Sequence, residues 1–184
     1  ANAGVEAKAR QVALDLSGQS YIRLEALAVR GASMLLADCS HCTVDRCELT
    51  YTSHYTRMYS AGQVEHGRDT IASGETGIVI GGRDNAFVNS LIRYSAGAGL
   101  YISGVRQTVH NCWIDQFDYA SHYLYALNVS SPEDVHSGGH TLTYNTFSNC
   151  GRSWYGVPGG AWCGASRERG PFLTQANLFA HNHG

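Results

Sequence analysis

Residues 76–97 read TGIVIGGRDNAFVNSLIRYSAG, and residues 98–117 read AGLYISGVRQTVHNCWIDQF. Set one above the other, they repeat one unit: a small residue and Gly, an alternating strand, a turn rich in Gly and polar residues, and a second short strand. The matching apolar positions are Ile78 with Leu100, Ile80 with Ile102, Phe87 with Val109, and Ile92 with Ile114. A repeat of roughly 20 to 25 residues, with strands and without helical spacing, is typical of a solenoid of β-strands.

The rest of the chain carries weaker copies of the same unit. Residues 11–31 alternate at Val12, Leu14 and Leu16, turn at Ser17-Gly18, and supply a next strand at Ile22, Leu24 and Leu27. Corresponding apolar residues recur at Leu35, Val44, Leu49, Leu142 and Phe147, and residues 172–184 begin a further unit. We therefore predict an all-β fold, a right-handed parallel β-helix of about six coils, as one domain over residues 1–184 that is truncated at one or both ends.

Composition narrows the class of protein. Charged residues make up 15% of the chain, and its 21 glycines far outnumber its 3 prolines, which favours β-structure with frequent turns over a helical bundle. The net charge of -2 offers no basic surface for nucleic acid. No apolar run approaches the ~20 residues that span a bilayer. We therefore expect neither nucleic acid nor a membrane as a partner.

The six cysteines allow three interpretations. Cys39 and Cys42 form a C-x-x-C with Cys47 close behind, yet no second pair follows at the spacing of a structural zinc site. Cys47 and Cys112 take the same place in their units, each three residues after an apolar strand residue. Half-buried thiols in a β-stack explain that equivalence, and a disulfide or a zinc site are the alternatives.

Three insertions break the repeat: residues 55–75, 130–139 and 152–170. Insertions in a solenoid emerge as loops on one face, which is often the binding face. Two histidine pairs, His136 with His140 and His181 with His183, lack a third ligand at suitable spacing for a metal. We therefore expect structural or solvent-exposed histidines at these positions and no bound metal.

Residues 84–104 (DNAFVNSLIRYSAGAGLYISG), 106–115 (RQTVHNCWID) and 139–151 (GHTLTYNTFSNCG) resemble the right-handed parallel β-helix repeats of the pectate-lyase-like superfamily. Residues 5–27 are similar to an internal stretch of large bacterial β-helix proteins, which implies a fragment of a longer protein. The sequence leaves the location of that protein open, and an extracellular or periplasmic one is compatible with it. The resemblance implies a carbohydrate-active module that binds or cleaves polysaccharide in a groove along the stack, as polysaccharide lyases and glycoside hydrolases do.

On this resemblance, the irregular segments would supply the site. The expected catalytic residues are Glu65, His66, Asp69, Asp118 and His122. Of these, Asp118 or Glu65 would be the acid–base residue and His66 or His122 its partner. The expected substrate-binding residues are Arg57, Arg68, Tyr123, Arg152, Trp154, Tyr155 and Trp162. Lyases of this superfamily often use calcium, which is coordinated by about six to eight oxygen ligands. The acidic residues here are scattered, so calcium is weakly supported and no cofactor is expected.

The alternative function is a non-catalytic structural or interaction module. Coils without polar caps leave unpaired strand edges, which favour stacking on another copy or on missing neighbouring coils. Turnover of a polysaccharide would favour the enzyme, whereas association that depends on protein concentration would favour the module.

Overall fold

The computed structural model describes residues 4, 9–10, 12–53, 78–96, 99–117, 127–129, 138–149, 163–165 and 178–181 of the 184-residue chain. All regular structure in these ranges is β-strand. In chain order the strands are β1 (Val12–Asp15), β2 (Arg23–Glu25), β3 (Ala28–Arg30), β4 (Ser33–Ser40), β5 (Thr43–Asp45), β6 (Glu48–Thr50), β7 (Ile78–Arg83), β8 (Ala86–Val88), β9 (Leu91–Ser95), β10 (Leu100–Ile102), β11 (Thr108–His110), β12 (Trp113–Phe117), β13 (Leu127–Val129), β14 (Thr141–Thr143), β15 (Thr146–Ser148), β16 (Cys163–Ala165) and β17 (Leu178–Ala180).

The strands form three sheets, and each sheet takes every third strand. Sheet A is β1-β4-β7-β10-β13-β16, sheet B is β2-β5-β8-β11-β14-β17, and sheet C is β3-β6-β9-β12-β15. All of these strand pairs are parallel. We call three consecutive strands, one in each sheet, a coil. The prediction of an all-β structure of stacked parallel strands is confirmed within the described residues.

The register predicted from residues 76–97 and 98–117 is also confirmed. The paired residues are Ile78 with Leu100, Ile80 with Ile102, Phe87 with Val109, and Ile92 with Ile114. Each of these side chains is at most 1% exposed. Because neighbouring strands lie ~4.8 Å apart, equivalent apolar side chains form continuous columns through the interior.

The predicted strand content of the unit is wrong, because each unit holds three strands and not two. The residues read as one second strand fall in β8 and β9, which belong to different sheets. Asn89 lies between them with φ 51°, and Asn111 takes the same place in the next coil with φ 53°. One left-handed residue turns the chain from sheet B to sheet C, and apolar spacing does not reveal such a corner. Ile22 and Leu27, predicted as strand residues, accordingly lie just outside β2 and β3.

Left-handed residues form corner columns on the outside of the stack. Between sheets A and B they are Tyr21, His41, Asp84, Arg106 and Gly139, and between sheets B and C they are Ala26, Arg46, Asn89, Asn111, Tyr144 and His181. The connections from sheet C back to sheet A vary far more in length. Gly31 and Ala32 join β3 to β4, whereas residues 51–77 join β6 to β7.

Four cysteines lie inside the stack as free thiols. Cys39, Cys42, Cys47 and Cys112 are each at most 2% exposed. Cys47 precedes β6 and Cys112 precedes β12, so the predicted equivalence of their positions is confirmed. They are more deeply buried than the half-buried thiols predicted, because Cys42, Cys47 and Cys112 lie on the interior side of a corner and Cys39 points inward from β4. The side chains of Cys150 and Cys163 lie outside the described part of the chain.

A ladder of polar side chains runs inside the corner between sheets A and B. Asn85, Gln107 and His140 take equivalent positions in successive coils and are at most 1% exposed. The Cys42 N–H donates to Asn85 Oδ1 (2.9 Å), the Asn85 N–H to Gln107 Oε1 (3.0 Å), and the Gln107 N–H to His140 Nδ1 (3.1 Å). The Asn85 and Gln107 amide nitrogens each donate to two backbone carbonyls. The ladder therefore ties the backbone of each coil to a side chain of the next.

Asn85→Leu is expected to lower the free energy of unfolding by about 3 kcal/mol or more, since each buried polar group left without a partner costs roughly 1–3 kcal/mol. The groups that lose Asn85 are the Cys42 N–H and the carbonyls of Cys39 and Gly81. Urea denaturation measures the change. The control is Asn111→Leu at an outer corner, where the left-handed backbone costs about 1–2 kcal/mol and water replaces the lost hydrogen bond. Equal losses in the two variants would contradict the role of the ladder.

His140 is expected to make stability depend on pH. Burial lowers the pKa of this fully buried imidazole to about 4, whereas an unfolded histidine titrates near ~6.5. Between these values the unfolded chain binds a proton that the folded chain does not, so the free energy of unfolding falls as the pH drops through this window. Protonation also removes the Nδ1 lone pair that accepts the Gln107 N–H.

We expect a loss of about 2 kcal/mol between pH 7 and 4.5 from this group, at ~1.4 kcal/mol per pKa unit. Urea denaturation at several pH values measures it. His140→Gln places in this coil the side chain that Gln107 has in the coil before, without a titratable group. That variant should lose most of the dependence, and an unchanged pH slope would show that His140 is not its source.

Candidate functional site

An exposed aromatic surface lies along the corner between sheets B and C. His110 ends β11, Trp113 begins β12, Tyr144 follows β14, and His181 follows β17. The Tyr144 ring is stacked on His181 with centroids 4.8 Å apart, and it meets the His110 ring edge-on at 5.4 Å. Trp113 is 46% exposed and Tyr144 is 55% exposed. We call these four residues the aromatic ridge.

The local backbone explains why these rings face outward. Neighbouring residues of a strand point to opposite sides of the sheet, so Trp113 must point away from the core that Ile114 enters. Tyr144 and His181 occupy left-handed corners, with φ 58° and 56°. Their side chains stack because the corners of successive coils lie one above the other. The ridge therefore follows from the stacking of coils.

Hydrogen bonds hold the ridge in place. His110 Nδ1 lies 2.9 Å from Thr143 Oγ1 in the next coil. Trp113 Nε1 donates to Ser148 Oγ at 2.8 Å, and Ser148 Oγ donates to Asp115 Oδ1 at 2.8 Å. Trp113 is thus anchored at its polar edge, while its ring keeps exposed apolar surface. An aromatic ring held in this way presents a pre-ordered contact surface to a ligand.

Asp115 is the anchor at the base of the ridge and is 1% exposed. Burial raises its pKa, but hydrogen bonds outweigh this, so that the pKa of Asp115 is lowered overall. They come from Asn149 Nδ2 (2.7 Å), Ser148 Oγ (2.8 Å) and Arg93 Nε (3.0 Å). The Arg93 guanidinium also lies over the Trp113 ring, 5.5 Å from its centroid. Asp115 is an ionised structural carboxylate and is unsuited to donating a proton as a general acid.

Amide groups extend the ridge along the same corner. Asn111 Nδ2 donates to Asn89 Oδ1 at 3.0 Å, and Asn89 Nδ2 donates to Asp45 Oδ1 at 2.9 Å. Beyond them an ionic cluster occupies the first two coils, with Arg23, Glu25, Asp45 and Arg46 as its members. The corner therefore passes from charged groups, through amides, to aromatic rings.

A second polar column lies at the corner between sheets A and B. The Tyr21 ring is stacked on His41 with centroids 4.9 Å apart, and His41 Nε2 lies 4.0 Å from Asp84 Oδ2. Arg106 binds both oxygens of Asp84 at 2.7 and 2.6 Å. The hydrogen bonds from Arg106 are the main cause of the lowered pKa of Asp84. A carboxylate paired in this way is held ionised, which does not suit it to act as a general acid with His41.

The site residues predicted from the sequence all lie outside the described residues. They are Arg57, Glu65, His66, Arg68, Asp69, Asp118, His122, Tyr123, Arg152, Trp154, Tyr155 and Trp162. The structure therefore neither brings them together nor separates them. Of the histidine pairs, His140 is fully buried and His181 lies on the aromatic ridge, while His136 and His183 are outside the described ranges.

Trp113 and Tyr144 were not predicted from the sequence as site residues. A signal for Trp113 was present, since the inward position of Ile114 fixes the outward position of its neighbour. Tyr144 had no such signal, because only the three-strand coil reveals it as a corner residue.

Within the described residues, no group of three or more His, Cys, Asp or Glu side chains is placed to hold a metal ion. The same residues contain no helix long and apolar enough to cross a membrane. Comparison with known proteins gave no match among protein-family models, curated proteins or solved structures.

Proposed function

We propose that this chain is a carbohydrate-active module, a right-handed parallel β-helix of the pectate-lyase-like kind with about six coils, and that it binds polysaccharide along the stack. The observation that carries the proposal is the aromatic ridge. Trp113 and Tyr144 present exposed rings in adjacent coils, with hydrogen-bonding groups beside them. A sugar offers an apolar ring face and a rim of hydroxyls, so rings flanked by polar groups suit it.

The stacked coils suit an extended ligand. Each coil repeats the corner at intervals of ~4.8 Å, so outward-facing side chains recur at a regular spacing along the axis of the stack. The amides of Asn89 and Asn111 lie on the same line and offer both donors and acceptors to hydroxyl groups. A linear polysaccharide lying along this corner would therefore contact the aromatic rings in the later coils and the amides in the coils before them.

Catalysis on the bound chain, of the lyase or glycoside hydrolase type, is the finer part of the proposal. Asp84 and Asp115 are committed to arginines in the fold, so the acid–base pair would come from elsewhere. Asp118 or Glu65 with His66 or His122 is the pair proposed from the sequence. A panel of polysaccharides assayed for unsaturated products and for reducing ends distinguishes a lyase from a hydrolase.

Trp113→Ala is expected to weaken polysaccharide binding about tenfold, a loss of roughly 1.4 kcal/mol, since the variant removes the largest ring of the ridge. Affinity electrophoresis against soluble polysaccharides, followed by calorimetry on the best ligand, measures the change. Tyr21→Ala is the matched control, because Tyr21 is 78% exposed at the other corner. Full binding by Trp113→Ala, or an equal loss in both variants, would remove the ridge from the binding site.

A second candidate function is self-association without catalysis, which the first coil favours. Leu24 and Val29 are only half-buried, whereas Val44 and Leu49 directly above them are fully buried. The apolar columns are thus less well covered at this end of the stack. Such an end favours contact with another copy of the chain.

A further inference from the structure

The first coil forms one end of the described stack. β1, β2 and β3 are the outermost strands of sheets A, B and C. Because each bonds to a described strand on one edge only, the opposite edges are places where another strand could pair. The half-buried Leu24 lies at the end of the interior column that continues through Val44 and Phe87.

The backbone of β2 shows which groups lie on its outer edge. The Thr43 N–H donates to the Ile22 carbonyl, and the Ala26 N–H donates to the Asp45 carbonyl. In a parallel ladder, alternate residues direct their backbone groups to opposite edges. The N–H and C=O groups of Arg23 and Glu25 therefore point away from β5, towards the end of the described stack.

The sequence of β2 is complementary to itself. It reads Arg-Leu-Glu, so two copies placed antiparallel about Leu24 set each Arg23 opposite a Glu25. Arg23 and Glu25 would then form the hydrogen-bonded pairs of an antiparallel ladder, in which opposite charges stabilise the contact. Each pair would lie on the outer face of sheet B, where side chains of both residues are exposed, 55% and 42%.

We infer that two copies of this chain associate end to end through their first coils, with β2 of one copy antiparallel to β2 of the other and the two-fold axis at Leu24. The inference rests on self-association, the second candidate function, and is independent of polysaccharide binding. The two Leu24 side chains complete each other's interior column at the axis. A contact of a surface with itself closes as a dimer and does not propagate into a fibre.

The ion pairs within each copy are compatible with this contact. Arg23 donates hydrogen bonds from Nε to Glu25 and from Nη2 to Asp45, and both acceptors belong to its own chain. A guanidinium has about five N–H donors, so others are available for a carboxylate of the second copy. Glu25 can likewise accept from more than one arginine, as it already does from Arg23 and Arg46.

Charge reversal tests the interface. The wild-type chain should run as a dimer in light scattering after gel filtration and dissociate on dilution. Arg23→Glu and Glu25→Arg should each be monomeric. In the proposed dimer, position 23 of each copy faces position 25 of the other, so either variant sets like charges against each other at both of these contacts. A mixture of the two variants should recover the dimer, since every contact is then between opposite charges. Glu48→Arg, a reversal of an exposed charge on β6 in the second coil, is the control and should leave the dimer intact.

Circular dichroism and thermal melting confirm that each variant is folded. If Arg23→Glu fails to fold because it sets a carboxylate beside Asp45, Glu25→Arg alone carries the test. A wild-type chain that is monomeric at all concentrations overturns both this inference and self-association as a function. Association that neither variant weakens overturns this interface while leaving self-association in place. In both cases the binding assays on Trp113 are unaffected.

Discussion

The Ile102→Asp variant is expected to be unfolded under conditions in which the wild-type chain is folded. Ile102 is fully buried in sheet A, where it pairs with Ile80 in one neighbouring coil and Val129 in the other. The substitution removes apolar contacts worth about 2–5 kcal/mol and buries a carboxylate without a partner, which costs several kcal/mol more. Domains of this size have a total stability of only about 5–15 kcal/mol.

Far-UV circular dichroism and urea denaturation measure this loss. Ile102→Val keeps the column apolar and should cost about 0.5–1.5 kcal/mol. Thr108→Asp introduces the same charge on the outward side of β11 and should remain folded. A folded Ile102→Asp protein with near wild-type stability would show that sheet A does not enclose a core.

Gly104→Ala is the second change expected to have a large effect, a loss of more than about 4 kcal/mol. Gly104 has φ 78°, and a Cβ at this position would lie 2.0 Å from the carbonyl oxygen of Gly82 in the preceding coil. That oxygen belongs to rigid backbone and accepts the Val105 N–H at 2.8 Å. The two coils would have to separate locally, and the hydrogen bonds between them would break.

Gly31→Ala separates the clash from the backbone conformation. Gly31 has φ 73°, nearly the same value, yet nothing lies within 4 Å of the Cβ that alanine would add. It should therefore lose only the ~1–2 kcal/mol of a left-handed alanine. The difference between the two variants in urea denaturation measures the clash alone. If both variants lose the same free energy of unfolding, the clash between the added Cβ and Gly82 contributes nothing to the loss in Gly104→Ala.

Much of the fold could be predicted because neighbouring coils repeat the same interior positions. Ile78, Ile80, Leu100 and Ile102 were enough to establish register, since identical spacing in two segments leaves one way to stack them. The third strand of each coil could not be predicted in the same way. Its boundary is a single left-handed residue such as Asn89 or Tyr144, and tyrosine in that conformation has no sequence signature.

The candidate site was harder to predict than the fold for a physical reason. The site residues predicted from the sequence fall where the repeat is broken, whereas the aromatic ridge lies within the repeat itself. Trp113 occupies an ordinary strand position, equivalent to Glu48 and Leu91 in earlier coils. Only the stacking of coils shows that it lies at the same corner as Tyr144 of the next coil. The residues predicted in the insertions stay predictions.

The long connection between β6 and β7 has a consequence for how such a protein can change. Residues 51–77 intervene between these strands, yet Leu49 still pairs with Ile92 on the far side. Loop closure costs only ~0.6 kcal/mol for each doubling of length, so this connection can be exchanged, lengthened or shortened with little effect on the pairing of the strands. Changes in sequence and length can therefore accumulate in this connection while the strands on either side of it remain constant, and grafting a foreign peptide into it is the natural route to re-engineering the molecule.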